Sequence, residues 1–234
     1  MTHSRAIIFV SLMLTLFSMG CDQVTRSTNV DTAGFNVGYT LLRDGDDVQA
    51  FATFREPGGA RLELVDGDAV FVDDMRMLPT HYVPPTEVSV ENSDCYQVAS
   101  TTASTHTFRF ERDGEGPYTH VVSTPSPFVV SSNSLSGSYD DTYTLTWGAP
   151  EADATIRIQA SGEGCATVSL TLGEPDTGSY QFAGTALRQS RDTATTTCHA
   201  TLYVTRTSSQ ELGAPFQYGL AHTVALARID MVIQ

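Results

Sequence analysis

The chain has no lysine; its 13 basic residues are all arginine, set against 27 acidic residues. The formal net charge is −14 with the histidines neutral. Such a surface repels phosphate backbones, which argues against a nucleic-acid partner. It also lacks the basic cluster that binds anionic lipid. A solvating acidic surface, or one that meets cations or basic partners, is what this balance suits. Long apolar runs are scarce too. After the first 20 residues none approaches the ~18 needed to span a bilayer. No Cys-x-x-Cys occurs, which argues against a zinc ribbon or a thioredoxin-type site. There is no His-Glu-x-x-His, no close histidine pair and no Gly-x-Ser-x-Gly elbow. No segment of the mature chain repeats with helical period between caps.

The first residues are the most apolar. Ala6 to Phe17 is interrupted only by Ser11 and Thr15. At ~1.5 Å per residue this core spans about 18 Å, short of the ~30 Å hydrocarbon layer. Arg5 and the free amine precede it and small residues follow, the layout of a secretory signal. The end, Ser18-Met19-Gly20-Cys21, resembles the lipobox of bacterial lipoproteins. Gly20 matches; Ser18 stands where that family usually has Leu, with Phe17 one place earlier. The resemblance implies cleavage before Cys21 and a diacylglycerol thioether on its thiol. Two or three acyl chains make a stable anchor, because each buried methylene contributes ~0.8 kcal/mol. The plainer alternative is an ordinary signal cut near Gly20, leaving Cys21 a free thiol.

Removing residues 1–20 from 234 leaves 214, in which 12 arginines face all 27 acids, a net charge of −15. Residues 21–34 are polar and read as a tether. Beyond them alternation with period two dominates. "VQAFATF" puts Val48, Ala50, Ala52 and Phe54 on one side. "THTFRFER" sets Phe108 and Phe110 against Thr107, Arg109 and Glu111. "TYTLTW" aligns Tyr143, Leu145 and Trp147, and the last strand aligns Ala225, Ala227, Ile229, Met231 and Ile233. Turn signals such as "RDGDD", "VDGDA" and "LGEPDTG" separate these runs. The fold class is therefore all-β, with two antiparallel β-sandwich domains after a cleaved signal segment. Pro125 and Pro127, which lack N–H donors, mark the boundary. The domains are residues 35–124 and 125–234. "YTLTWGAPEADATIRI" is similar to the early strands of fibronectin type III and related immunoglobulin-like domains, with Leu145, Trp147, Pro150, Ile156 and Ile158 in the matching places. The resemblance implies an Ig-like sandwich for the second domain.

With Cys21 lipidated, three cysteines remain. Cys198 opens "CHATLYV", where Cys198, Ala200, Leu202 and Val204 share a face, and Cys165 opens "CATVSLTL". A Cys165–Cys198 disulfide is predicted, worth ~4 kcal/mol in the chain-entropy model. Cys95 is then the odd thiol; its pairing with either of the others is the competing arrangement.

Candidate chemistry is sparse. Asp44, Asp46, Asp47, Asp66 and Asp68 lie in turns that could gather oxygen ligands for calcium, as could Asp73 and Asp74. Asp-Gly is equally a hairpin turn. His106 and His120 lie on consecutive strands, where a histidine usually faces solvent. Tyr82, Tyr118 and Tyr180 could form a ligand platform, or be half-buried packing. Trp147 is assigned to the core. No cofactor and no catalysis are expected. The expected protein is a lipid-anchored envelope module for binding, adhesion or structure, in the inner or outer membrane, with its domains in the periplasm or at the cell surface. Its ligand would be a protein or a glycan. A glycan- or calcium-dependent binding protein is the alternative, and a hydrolase with a cryptic site the weaker one.

Overall fold

The computed structural model describes residues 24–65, 67–82, 93–99, 103–188 and 197–234. Cys21 and Asp66 lie outside the described residues. The strands of the first half are β1 (Val24–Arg26), β2 (Asn36–Asp44), β3 (Asp47–Arg55), β4 (Arg61–Glu63), β5 (Ala69–Val72), β6 (Met75–Arg76), β7 (Leu78–Tyr82), β8 (Ser93–Ala99), β9 (Thr105–Arg112) and β10 (Glu115–Ser123). The second half adds β11 (Ser131–Ser132), β12 (Ser136–Gly137), β13 (Thr142–Thr146), β14 (Thr155–Glu163), β15 (Val168–Pro175), β16 (Ser179–Ala183), β17 (Cys198–Glu211) and β18 (Tyr218–Ile233). The all-β class read from the alternation is the one that forms.

One large sheet runs β1-β4-β3-β2-β18-β17-β14-β15, with β8 also on β3, β7 on β8 and β12 on β18. A second sheet, β10-β9-β5-β6, covers the first half. A third, β11-β13-β16, covers the second half. Two cores result. The first holds Tyr39, Leu41, Ala52, Phe54, Val72, Phe108 and Phe110. The second holds Tyr143, Leu145, Trp147, Ile158, Leu202, Val204 and Met231. In the second half, β11-β13-β16 facing β18-β17-β14 is the split of strands expected of an immunoglobulin-like sandwich. The apolar faces of β3, β9, β13 and β18 point where period two puts them.

The two sandwiches share a strand pair. β17 and β18 form one antiparallel hairpin, from Cys198↔Ile233 to Glu211↔Leu220. The sixteen residues of β18 are about three times the usual strand length. Its second half serves the second core. Its first half pairs in parallel with β2, from Tyr218↔Asn36 to Leu226↔Asp44. The hairpin tip therefore belongs to the first core, where Leu212, Phe216 and Ala221 are buried. Residues 124–130, with Pro125 and Pro127, have no regular structure; the first core is drawn from residues before Pro125 and the second from residues after Pro127, except for the hairpin tip, which returns to the first. The opposite face of this junction is closed by Leu42, Phe51, Val224 and Leu226, with Tyr203 packed against them.

The polar tether expected at 21–34 is corrected for its described part. β1 pairs in parallel with β4. Ser27 and Thr32 are buried, and Val30 packs on the first core. The cause is Arg112, which donates to the Ser27 carbonyl (3.0 Å) and to Thr32 Oγ1 (3.0 Å). Thr32 in turn donates to Glu115. A polar segment can dock when its hydrogen bonds are met by the surface beneath it.

The predicted disulfide is present. Cys165 and Cys198 are bonded with Cα atoms 4.8 Å apart, and both are buried in the second core. Glu163 pairs with His199, so the bridge staples the end of the β14–β17 ladder. Cys95 lies on β8 opposite Thr80.

Two outcomes follow from this packing. Phe216→Ala should cost about 3–5 kcal/mol, and hydrogen exchange should report the loss in β9 and β10 although the residue follows β17. The buried Tyr39 hydroxyl finds no hydrogen-bond partner among the described residues, and burial pushes its pKa well above the ordinary phenol value. Tyr39→Phe should therefore gain about 1 kcal/mol, because an unmet buried donor is removed; a denaturant midpoint reads the sign.

Candidate binding clefts and buried charges

Two of the acidic turns close hairpins. Asp44 pairs with Asp47 across a two-residue turn, with Gly45 at φ +63° in the first central position. That is the position where a type II′ turn takes glycine. The Asp44 carboxylate is occupied by Arg228, which donates from both terminal nitrogens at 3.0 and 2.6 Å. Asp68 is buried; its Oδ1 lies 3.9 Å from Arg112 Nε and its Oδ2 has no partner among the described residues. Among the described residues no three histidine, cysteine or acidic side chains gather as a metal site.

Asp73 and Asp74 adopt φ +48° and +65° between Val72 and Met75. Both central residues are left-handed, as a type I′ turn requires, and aspartate tolerates this. Asp73 then reaches β9: its Oδ1 accepts from Thr107 N at 2.8 Å and its Oδ2 lies 2.6 Å from His106 Nδ1. His106 is 1% exposed, which corrects the solvent-facing expectation. His106 sits opposite Val122, and His120 opposite Phe108. The register therefore does not put the two histidines opposite each other.

The densest polar cluster lies under the second core. Asp176 accepts from Trp147 Nε1 (2.8 Å), Glu151 N (3.0 Å) and Gly178 N (3.0 Å). Arg206 Nε lies 2.8 Å from its Oδ2, an ion contact rather than an aligned hydrogen bond. Arg206 also donates to Glu151 Oε1 (2.9 Å) and to the Ala149 carbonyl (3.1 Å), and stacks over Phe128 at 4.6 Å. Burial alone would raise the Asp176 pKa. The three hydrogen bonds and the Arg206 charge outweigh it, so the carboxyl lies below its usual range. The cluster ties the loops before β14 and after β15 to β17. Trp147 is core, as expected, and its indole N–H is satisfied there.

Two open clefts of similar size lie among the described residues. One, of about 280 Å³, lies where the sandwiches meet, between residues 122–126 and the β17–β18 hairpin. Its Ser, Thr and Gln side chains suit a neutral, hydrogen-bonding ligand. Beside it Ser208 bonds Thr223 (2.6 Å), and Ser209 bonds His222 Nδ1 (2.8 Å). The other, of about 240 Å³, lies on the side of the first sandwich and is lined by Arg61, Asp68, Arg76, Leu78 and Tyr96. Tyr96 accepts from Leu64 N at 2.8 Å, and burial raises its pKa. Tyr118 packs beside Phe110 and Phe216, and Tyr180 donates to the Leu170 carbonyl, so these two are half-buried packing. Tyr82 lies on β7 opposite Ser93.

No protein-family model matches the chain, and no curated protein matches it. Among solved structures it is similar to the chicken CNTN1 FN1-FN3 domains, with 10% identity and a TM-score of 0.24. The match covers 85% of this chain and 63% of that one, so the chain spans less than two thirds of the neighbour's length. The all-β class rests on the strands themselves.

Asp176→Asn leaves the buried Arg206 with only the partly exposed Glu151 as counter-charge and should cost about 3 kcal/mol at neutral pH. A carboxyl whose folded pKa is lowered stabilises above its unfolded pKa and loses that contribution as pH falls through the folded value. Urea midpoints of wild type and variant should therefore converge in acid. Burial lowers the pKa of His120 and of His222. The unfolded chain takes those protons first, so both proteins should also weaken as pH drops through the ordinary histidine range.

Proposed function

We propose that the protein is a cell-envelope lipoprotein, held in the membrane through Cys21, whose two β-sandwiches act as a non-catalytic binding, adhesion or structural module. The domains stand in the periplasm or at the cell surface. The reading begins from the lipobox-like end at Ser18–Cys21. The observation that carries the module part is the shared β17–β18 hairpin. It threads both cores, and its parallel pairing with β2 joins the anchored half to the far half. A pull between membrane and ligand would load that ladder along the strands, where its rungs share the force. The buried charges support the same reading, because Asp176, Arg206, Asp73 and His106 are engaged in holding loops to strands.

The anchor is tested by labelling cells with radioactive palmitate. The wild-type chain should take up label and sediment with membranes. Cys21→Ala should lose both. Wild-type protein that takes up no label overturns the anchor.

A further inference from the structure

The first sandwich has an open side, where an edge of each of its sheets adjoins the other. β1 is the edge of the large sheet and β6 the edge of the smaller one. The 240 Å³ cleft lies beside both: Arg76 of β6 lines it, and so does Arg61 of β4, the strand on which β1 pairs, together with Leu78. Val24 of β1 is the register partner of Arg61. Each of the strands around it carries an exposed large apolar side chain: Val24 on β1 is 50% exposed, Met75 on β6 39% and Leu78 on β7 64%. Arg26 and Arg76 are exposed beside them. The acids of the cleft are Glu63 and the buried Asp68. In a chain of net charge −14, this side sets Arg26, Arg61 and Arg76 against Glu63, Asp68 and the exposed Asp74.

The chain enters at this side. Only Asp22 and Gln23 separate Cys21 from Val24. Three residue steps reach at most about 11 Å. The segment that follows is fastened by Arg112 through Ser27 and Thr32, so it does not pay out as slack. A lipid on Cys21 would therefore hold β1 within about 11 Å of the headgroups.

We infer that the β1–β4 and β6–β7 side of the first sandwich rests on the lipid surface. The inference depends on the lipid-anchor reading and adds to it which face meets the bilayer. Val24, Met75 and Leu78 enter the headgroup boundary, as apolar side chains of interfacial segments do. The Arg26 and Arg76 stems cover apolar surface and place their guanidinium groups among the lipid phosphates. The acidic remainder faces away from an anionic bilayer.

The test uses the full lipidated protein in phosphatidylcholine–phosphatidylglycerol vesicles, made with or without brominated acyl chains. Leu78→Trp and Val24→Trp place reporters at the contact. Val129→Trp, at a position 78% exposed before β11, reports the second sandwich. Trp147 is buried and serves as the constant background. Both contact variants should shift their emission to the blue and lose it in brominated vesicles, while Val129→Trp is unchanged. Equal emission with and without bromine at Leu78→Trp and Val24→Trp, in protein that carries palmitate, overturns the docking face and leaves the anchor. Equal quenching at all three positions overturns the orientation. Absence of palmitate overturns both anchor and docking face.

Discussion

The parallel ladder between β2 and β18 is the contact on which the architecture depends. β18 carries hydrogen bonds on both edges along its first half, to β17 in antiparallel and to β2 in parallel. Each rung satisfies backbone groups that would otherwise be unpaired and buried. Because the same strand continues into the second core, the ladder makes one large sheet out of two sandwiches. Cutting it would expose the β2 edge and withdraw Leu212, Phe216 and Ala221 from the first core. Inter-domain contacts within a chain are commonly modest and polar. Here the contact is a continuous sheet, with Leu42, Phe51, Val224 and Leu226 buried on its far face.

Around that ladder the protein places charge on faces that should be apolar. β9 runs His106, Phe108, Phe110 and Arg112 along one side, so the aromatic face carries a titratable group at one end and a cation at the other. β17 runs Ala200, Leu202, Val204 and Arg206 in the same way. A buried charge is tolerated only with a partner. The partners come from loops: Asp73 for His106, Asp68 and the Ser27–Thr32 segment for Arg112, and Asp176 with Glu151 for Arg206. Inward-facing basic side chains thus act as latches, each fastening an irregular segment to a strand. The N-terminal latch holds residues 27–32 against the first sandwich.

Much of this was legible along the chain, because period two is a local property. The faces of β3, β13 and β18 and the core place of Trp147 follow from which residues share a side; the Cys165–Cys198 pairing was read from the chain with a Cys95 pairing as its rival, and the structure forms it with Cys165 in the turn after β14. The inward parity of His106, Arg112 and Arg206 was equally visible, although only their partners give it meaning. Those partners lie 33 residues away for Asp73, 85 for Ser27 and 55 for Glu151. No local pattern marks such distances. The docking of residues 24–34 was hidden for the same reason: a polar segment reads as a tether until the surface that satisfies its hydrogen bonds is seen.

By itself the sequence determined strand class, inward faces, turn positions and the acidic balance, because side-chain alternation and turn chemistry act over a few residues; the choice between the cysteine pairings was left to the structure. Tertiary structure alone decided that β18 serves two cores, that it pairs with β2 in parallel, and that the entering segment is fastened to the first sandwich. Register between distant strands depends on which buried surfaces and hydrogen-bonding groups find each other after the chain has folded back. Adjacent residues do not carry that information.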